Sequence, residues 1–120
     1  MFKRFDKNKT SSGLSHWWYQ KITAVILMPL TIWFLISLPN FINLSYLEKV
    51  SWINKAPNYY LMAVFFIISS YHFKLGLTVV IEDYIHNNRI KKSLITIVSI
   101  ISLLIILSSI ILCIIKLLGN

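Results

Sequence analysis

A single cysteine, Cys113, stands in this chain of 120 residues. No internal disulfide can form, and a Cys-based metal or c-type haem site is excluded. Cys113 lies near the end of the last apolar run and reads as a packing residue. Acidic side chains are also scarce, four Asp and Glu against twelve Lys and Arg, for a formal net charge of +8. With three glycines and three prolines, the chain has no glycine-rich flavin fingerprint, low-complexity region or internal repeat. Alternation of apolar and polar residues in segments of ~10 residues is missing as well, which excludes a transmembrane β-barrel.

What is present is apolar length, since 57% of the residues are hydrophobic. Three runs, Ile22 to Leu38, Tyr60 to Ile81 and Leu94 to Ile115, each approach or exceed the ~18 residues that span a hydrocarbon core. Lipid offers the backbone no hydrogen bonds, so such runs must be helical. The expected fold class is an all-α membrane protein with three transmembrane helices at about 17–38, 58–86 and 91–117. Residues 1–15 would be a polar tail, and the whole chain, 1–120, a single membrane-anchor domain.

The basic residues flank these runs, which argues for topology and against nucleic-acid binding. Lys3, Arg4, Lys7, Lys9 and Lys21 precede or open the first span, and Arg89, Lys91 and Lys92 lie in the second loop. Only Lys49, Lys55 and Lys116 lie on the other side. The positive-inside rule then places the N-terminus in the cytoplasm and the C-terminus in the periplasm. The first span has no small-x-small cleavage site at Ser37-Leu38-Pro39 and is expected to be retained.

Local signals refine the helices. Pro29 removes a backbone hydrogen bond inside the first span and predicts a kink, with Thr23 and Thr31 available to satisfy freed carbonyls. The stretch from Pro39 to Asn58 has partly helical apolar spacing, expected of a short surface segment, and Pro57 is placed to open the second helix. In the third, Ser99, Ser102, Ser108 and Ser109 would permit close helix approach. Trp17, Trp18 and Tyr19 read as an aromatic belt at the membrane boundary, and His16 beside them is an unspecific signal.

One position is out of keeping with this apolar background. His72 lies about 18 Å along the second helix, near the bilayer midplane, where an ionisable group requires a partner. It could be a neutral imidazole hydrogen-bonded to a neighbouring helix, or a metal ligand. Ser69, Gly76 and Val79 share its face and would form a shallow strip against which a flat macrocycle could lie. A haem with two protein axial ligands would need its second from another chain, because His16 and His86 lie at or beyond the boundary. Asp83, eleven residues on, returns to nearly the same face about 16 Å away. Tyr84 beside it pairs a phenol with a carboxylate at the helix end, which suits an apolar quinone that needs a hydrogen-bond donor and protons. Lys74, about 200° from His72, is expected to snorkel or meet an anion.

The segment Ser15-His16-Trp17-Trp18-Tyr19-Gln20-Lys21-Ile22-Thr23-Ala24-Val25, with His72-Phe73-Lys74-Leu75-Gly76 and Glu82-Asp83-Tyr84, resembles the hydrophobic membrane anchor of succinate dehydrogenase. The resemblance extends over all three spans. It implies that His72 is an axial ligand of haem b shared with a second anchor subunit. It also implies that Tyr84 and Asp83 form part of a ubiquinone site, with Lys21 and His16 near haem propionates or the quinone pocket. Many relatives have arginine where Lys21 stands, and lysine lacks the planar fork for bidentate contacts.

The implied partners are a second anchor subunit, an iron–sulfur subunit, a flavoprotein subunit and membrane lipid, with no nucleic acid. The implied role is to anchor succinate:ubiquinone oxidoreductase (complex II), an electron-transport and tricarboxylic-acid-cycle enzyme, with no catalytic activity in this chain alone. The location would be the bacterial inner membrane, or the mitochondrial one for an organelle-encoded chain. A competing reading is a small transport or channel subunit with Lys74, Glu82 and Asp83 as a polar pathway. Another is a purely structural assembly factor.

Overall fold

A 36-residue helix opens the described part of the chain. In the computed structural model, which describes residues 7–119, α1 (Lys7–Ile42) runs without interruption through Pro29 and Pro39. It is followed by a short α2 (Tyr46–Asn54), then α3 (Ala56–Tyr84) and α4 (Asn88–Leu118). Lys3 and Arg4, counted above for topology, lie outside the described residues, as do the side chains of Lys7 and Lys9. Helix α1 starts well before the expected residue 17, so residues 7–15 of the expected tail are helical. Once a helix is nucleated, each further residue adds one hydrogen bond at little cost, and Lys7, Lys9 and Leu14 have favourable helix propensity.

The ends of the elements follow from particular side chains. At the close of α1 the Asn43 amide donates to the Pro39 carbonyl at 3.0 Å, satisfying one of the acceptors a helix end leaves open. Helix α2 begins with a capping box: the Ser45 hydroxyl accepts from the Glu48 N–H while the Glu48 carboxylate accepts from the Ser45 N–H at 2.8 Å. Pro57 lies in the first turn of α3, as its fixed φ favours. Asn87 opens α4, its side chain accepting from the Arg89 and Ile90 N–H groups.

Three helices, Gly13–Ile42, Ala56–Tyr84 and Asn88–Leu118, are long and apolar enough to cross a membrane. At 1.5 Å per residue each exceeds the ~30 Å hydrocarbon core, so their ends reach the headgroups. Helix α3 is the hub, packing against α1, α2 and α4. Stacking of Phe34 on Phe65, with centroids 4.7 Å apart, joins α1 to α3. Trp52 of α2 lies against Trp33 and Phe41 of α1.

The core is thin and rich in hydroxyls. Among the described residues the buried side chains are Tyr59, Leu75 and Ile81 together with Thr23, Ser70, Thr78 and Ser102. Small polar residues let backbones approach, and in lipid their hydroxyls must be satisfied by a neighbour. Ser102 is the one of the four expected serines that is buried; Ser108 and Ser109 are satisfied by the Ile105 carbonyl of their own helix. Most apolar side chains face outward: only 6% of the most apolar stretch of α4 is buried within the chain. That surface is suited to lipid and to other membrane helices.

Candidate functional site

The only hydrogen bond that the His72 imidazole makes among the described residues ties α3 to α1. Its Nδ1 lies 2.7 Å from the Thr23 hydroxyl oxygen. The same hydroxyl lies 2.8 Å from the Tyr19 carbonyl and 3.0 Å from that of Gln20. Thr23 had been expected to relieve the carbonyls disturbed by Pro29; instead it bonds one turn back on α1 and reaches across to the imidazole. Pro29 leaves the Val25 carbonyl without its i+4 donor, and the Thr23 side chain points toward the preceding turn, as helical side chains do.

A threonine hydroxyl carries one proton. With two carbonyls in line to accept it, the oxygen is left to accept from Nδ1–H of a neutral His72. This arrangement uses every available proton and leaves the Nε2 lone pair uncommitted. In the opposite tautomer Nε2 would carry a proton with no acceptor among the described residues, which is costly in an apolar setting.

The ring opens toward a groove of about 230 Å³ lined by Trp17, Gln20, Lys21, Ala24 and His72. This is smaller than the ~300–1,000 Å³ of usual ligand sites. Lys21 holds its ammonium 4.1 Å from the centre of the Trp17 ring, a cation–π contact that keeps its positive charge at the rim. Trp17 and Gln20 also border a second concavity of about 460 Å³, completed by Gly13, His16, Val79 and Glu82. An apolar groove beside His72 thus adjoins a polar one at the end of the bundle where α3 finishes.

The anticipated strip of Ser69, Gly76 and Val79 is divided in the structure. Helix α1 crosses that face: a Cβ at Gly76 would lie 3.7 Å from the Gln20 amide nitrogen. Val79 lines the polar concavity, and Ser69 borders a separate cavity between α3 and α4. Asp83 and Tyr84 are both exposed at the end of α3, Tyr84 at 78%. The polar side chains that join His16 in the concavity are Gln20, which had been given no role of its own, and Glu82, which had been named only in the polar-pathway reading. Lys74 is half-buried, and by helical geometry it, Glu82 and Asp83 point in three different directions. They do not form one polar strip.

Residues 4–111 match the family described as succinate dehydrogenase/fumarate reductase transmembrane subunit. The chain belongs to this family. It is 37% identical over 111 residues to the succinate dehydrogenase hydrophobic membrane anchor subunit of Rickettsia bellii, covering 91% of this chain and 87% of that one. With the Rickettsia prowazekii protein of the same description it shares 34% identity over 110 residues, 90% and 86% of the two chains. With the succinate dehydrogenase membrane anchor subunit of Reclinomonas americana it shares 30% over 84 residues, 68% and 70% of the two chains. No solved structure matches. As a transmembrane subunit of this family, the chain is a membrane anchor of the succinate dehydrogenase type and a non-catalytic member of an enzyme complex.

For a transmembrane subunit of this kind, the donor set at His72 is chemically suited to one axial position of a haem. It is a single neutral imidazole with a free Nε2, beside a cation able to face a propionate. Among the described residues no three His, Cys, Asp or Glu side chains gather into a site for a bare metal ion.

Proposed function

We propose that this chain anchors a succinate:ubiquinone oxidoreductase to the membrane. With a second anchor subunit it would hold haem b through His72 and border the ubiquinone site at Tyr84 and Asp83. The observation that carries this reading is an imidazole midway along α3: Thr23 occupies its Nδ1, and the same residue lines a small groove with Trp17, Gln20, Lys21 and Ala24. The second wall and the second iron ligand come from the partner anchor. A bound haem supplies a reversible one-electron store beside the quinone.

The chain's own residues do the rest. Lys21 places positive charge at the rim of the groove, where propionates would be stabilised. His16 and Glu82 line the polar concavity next to it, and Tyr84 offers a phenolic donor to a quinone carbonyl. The flavoprotein and iron–sulfur subunits sit on the side where α1 begins and α3 ends. By the charge distribution that side is the cytoplasm of a bacterial cell, with the C-terminus of α4 on the periplasmic side.

Co-purification through a tag on this chain, followed by an absorbance spectrum, tests the proposal. The expected result is recovery of the flavoprotein and iron–sulfur subunits with a low-spin haem b band, and loss of that band in His72→Leu. Recovery of the complex with an unaltered haem band in His72→Leu would remove His72 from the site.

A further inference from the structure

Helix α1 makes one hydrogen bond to the imidazole, through Thr23. We infer that Thr23 is a positioning residue for the haem iron, acting through His72: its hydroxyl fixes the ring rotation and tautomer and raises the donor strength of Nε2. The inference rests on His72 being the haem ligand and extends that assignment to a residue 49 positions away on another helix.

Three observations support it. Thr23 is buried, 8% exposed, so its hydroxyl has no water to bond instead. The 2.7 Å separation is short for a bond between a ring nitrogen and a hydroxyl oxygen. The Thr23 proton is directed to the Tyr19 and Gln20 carbonyls, so the oxygen is polarised and accepts more strongly from Nδ1–H. Metal-bound histidines characteristically donate their other ring N–H to an acceptor, which fixes the tautomer and increases ligand basicity. A stronger donor favours ferric over ferrous iron. Thr23 therefore holds the potential of the haem below the value it would have with an unsupported imidazole.

The test is made in the purified complex with Thr23→Val, which keeps the shape and removes the hydroxyl, and Thr23→Ser, which keeps the hydroxyl. The readouts are the haem b midpoint potential and the low-spin electron paramagnetic resonance signal. The expected result is a positive shift of potential and altered g values in Thr23→Val, with Thr23→Ser close to the parent. If Thr23→Val loses haem while Thr23→Ser retains it with the parent potential, the hydroxyl is likewise required.

An unchanged potential and signal in a haem-replete Thr23→Val complex would overturn the inference. So would equal shifts, or equal haem loss, in both variants, since the methyl groups would then matter and the hydrogen bond would not. The His72→Leu complex separates the two levels of the argument: a retained haem band there defeats the ligand assignment itself, whatever Thr23 does.

Discussion

Ser70 of α3 and Ser102 of α4 bond to each other across the helix interface. Ser102 Oγ donates to the Ser70 carbonyl at 3.1 Å, and Ser70 Oγ donates to Ser102 Oγ at the same distance. Both side chains are buried, and a larger residue at either position would force the backbones apart. Interhelical bonds of this type contribute ~0.6–2 kcal/mol in a membrane, because the separated helices also find partners. Ser70→Ala and Ser102→Ala should each lower stability by about 1 kcal/mol, and the double variant by less than their sum. Ser102→Leu should cost more than either, through overpacking. Thermal unfolding of the purified complex, analysed as a double-mutant cycle, checks this; strict additivity would show that the hydroxyls do not interact.

The phenol of Tyr84 is exposed and makes no side-chain hydrogen bond among the described residues. Tyr84→Phe should therefore leave assembly intact. Loss of one hydrogen bond of about 1 kcal/mol to a quinone carbonyl corresponds to roughly a fivefold fall in quinone reduction. Succinate oxidation by a dye acceptor should be unaffected. Parallel loss of both activities would mean that the hydroxyl serves assembly.

Gly76 marks the crossing of α1 over α3, and a Cβ there would meet only Gln20, at ordinary van der Waals distance. Gly76→Ala should fit inside the chain and gain up to ~1 kcal/mol from the lower backbone entropy of the unfolded state. Gly76→Leu should displace Gln20 from the wall that separates the two concavities. Unfolding of the complex and its haem absorbance would distinguish them: the alanine variant should match or exceed the parent in stability, and the leucine variant should fall below it.

The cap of α2 gives a pH dependence. Bonds from the Ser45 side chain and backbone hold the Glu48 carboxyl below its ordinary value of 4.5. A depressed carboxylate stabilises the cap above that ordinary value, and this contribution is lost as pH falls through the lower folded-state value. Ser45→Ala should raise the Glu48 value toward 4.5 and weaken the start of α2, which carbon-detected NMR titration of the carboxylate would report. No change in that titration would show that the capping box does not persist in the membrane-bound protein.

Apolar run length, charge placement and the rarity of glycine and proline were enough to read three spans, the helical character of the segment before Pro57, and the singular position of His72. These are local properties: burial in lipid demands internal hydrogen bonding, and a lone imidazole within an apolar run is conspicuous by composition. Spacing along α3 also put Asp83 on nearly the same face as His72. It did not show which helix covers that face, and so the strip of Ser69, Gly76 and Val79 was divided once α1 lay across it.

The sequence by itself determined the helices and the residue that interrupts their apolar character. Only the tertiary structure decided what that residue meets: Thr23 at Nδ1 and a groove walled by Trp17, Gln20, Lys21 and Ala24, which shares Trp17 and Gln20 with a polar concavity lined by His16 and Glu82. The physical reason is that periodicity fixes a side chain's direction relative to its own helix axis. The rotation and height of one helix against another are set by packing, here by the Ser70–Ser102 clasp, the Phe34–Phe65 stack and the narrow crossing at Gly76.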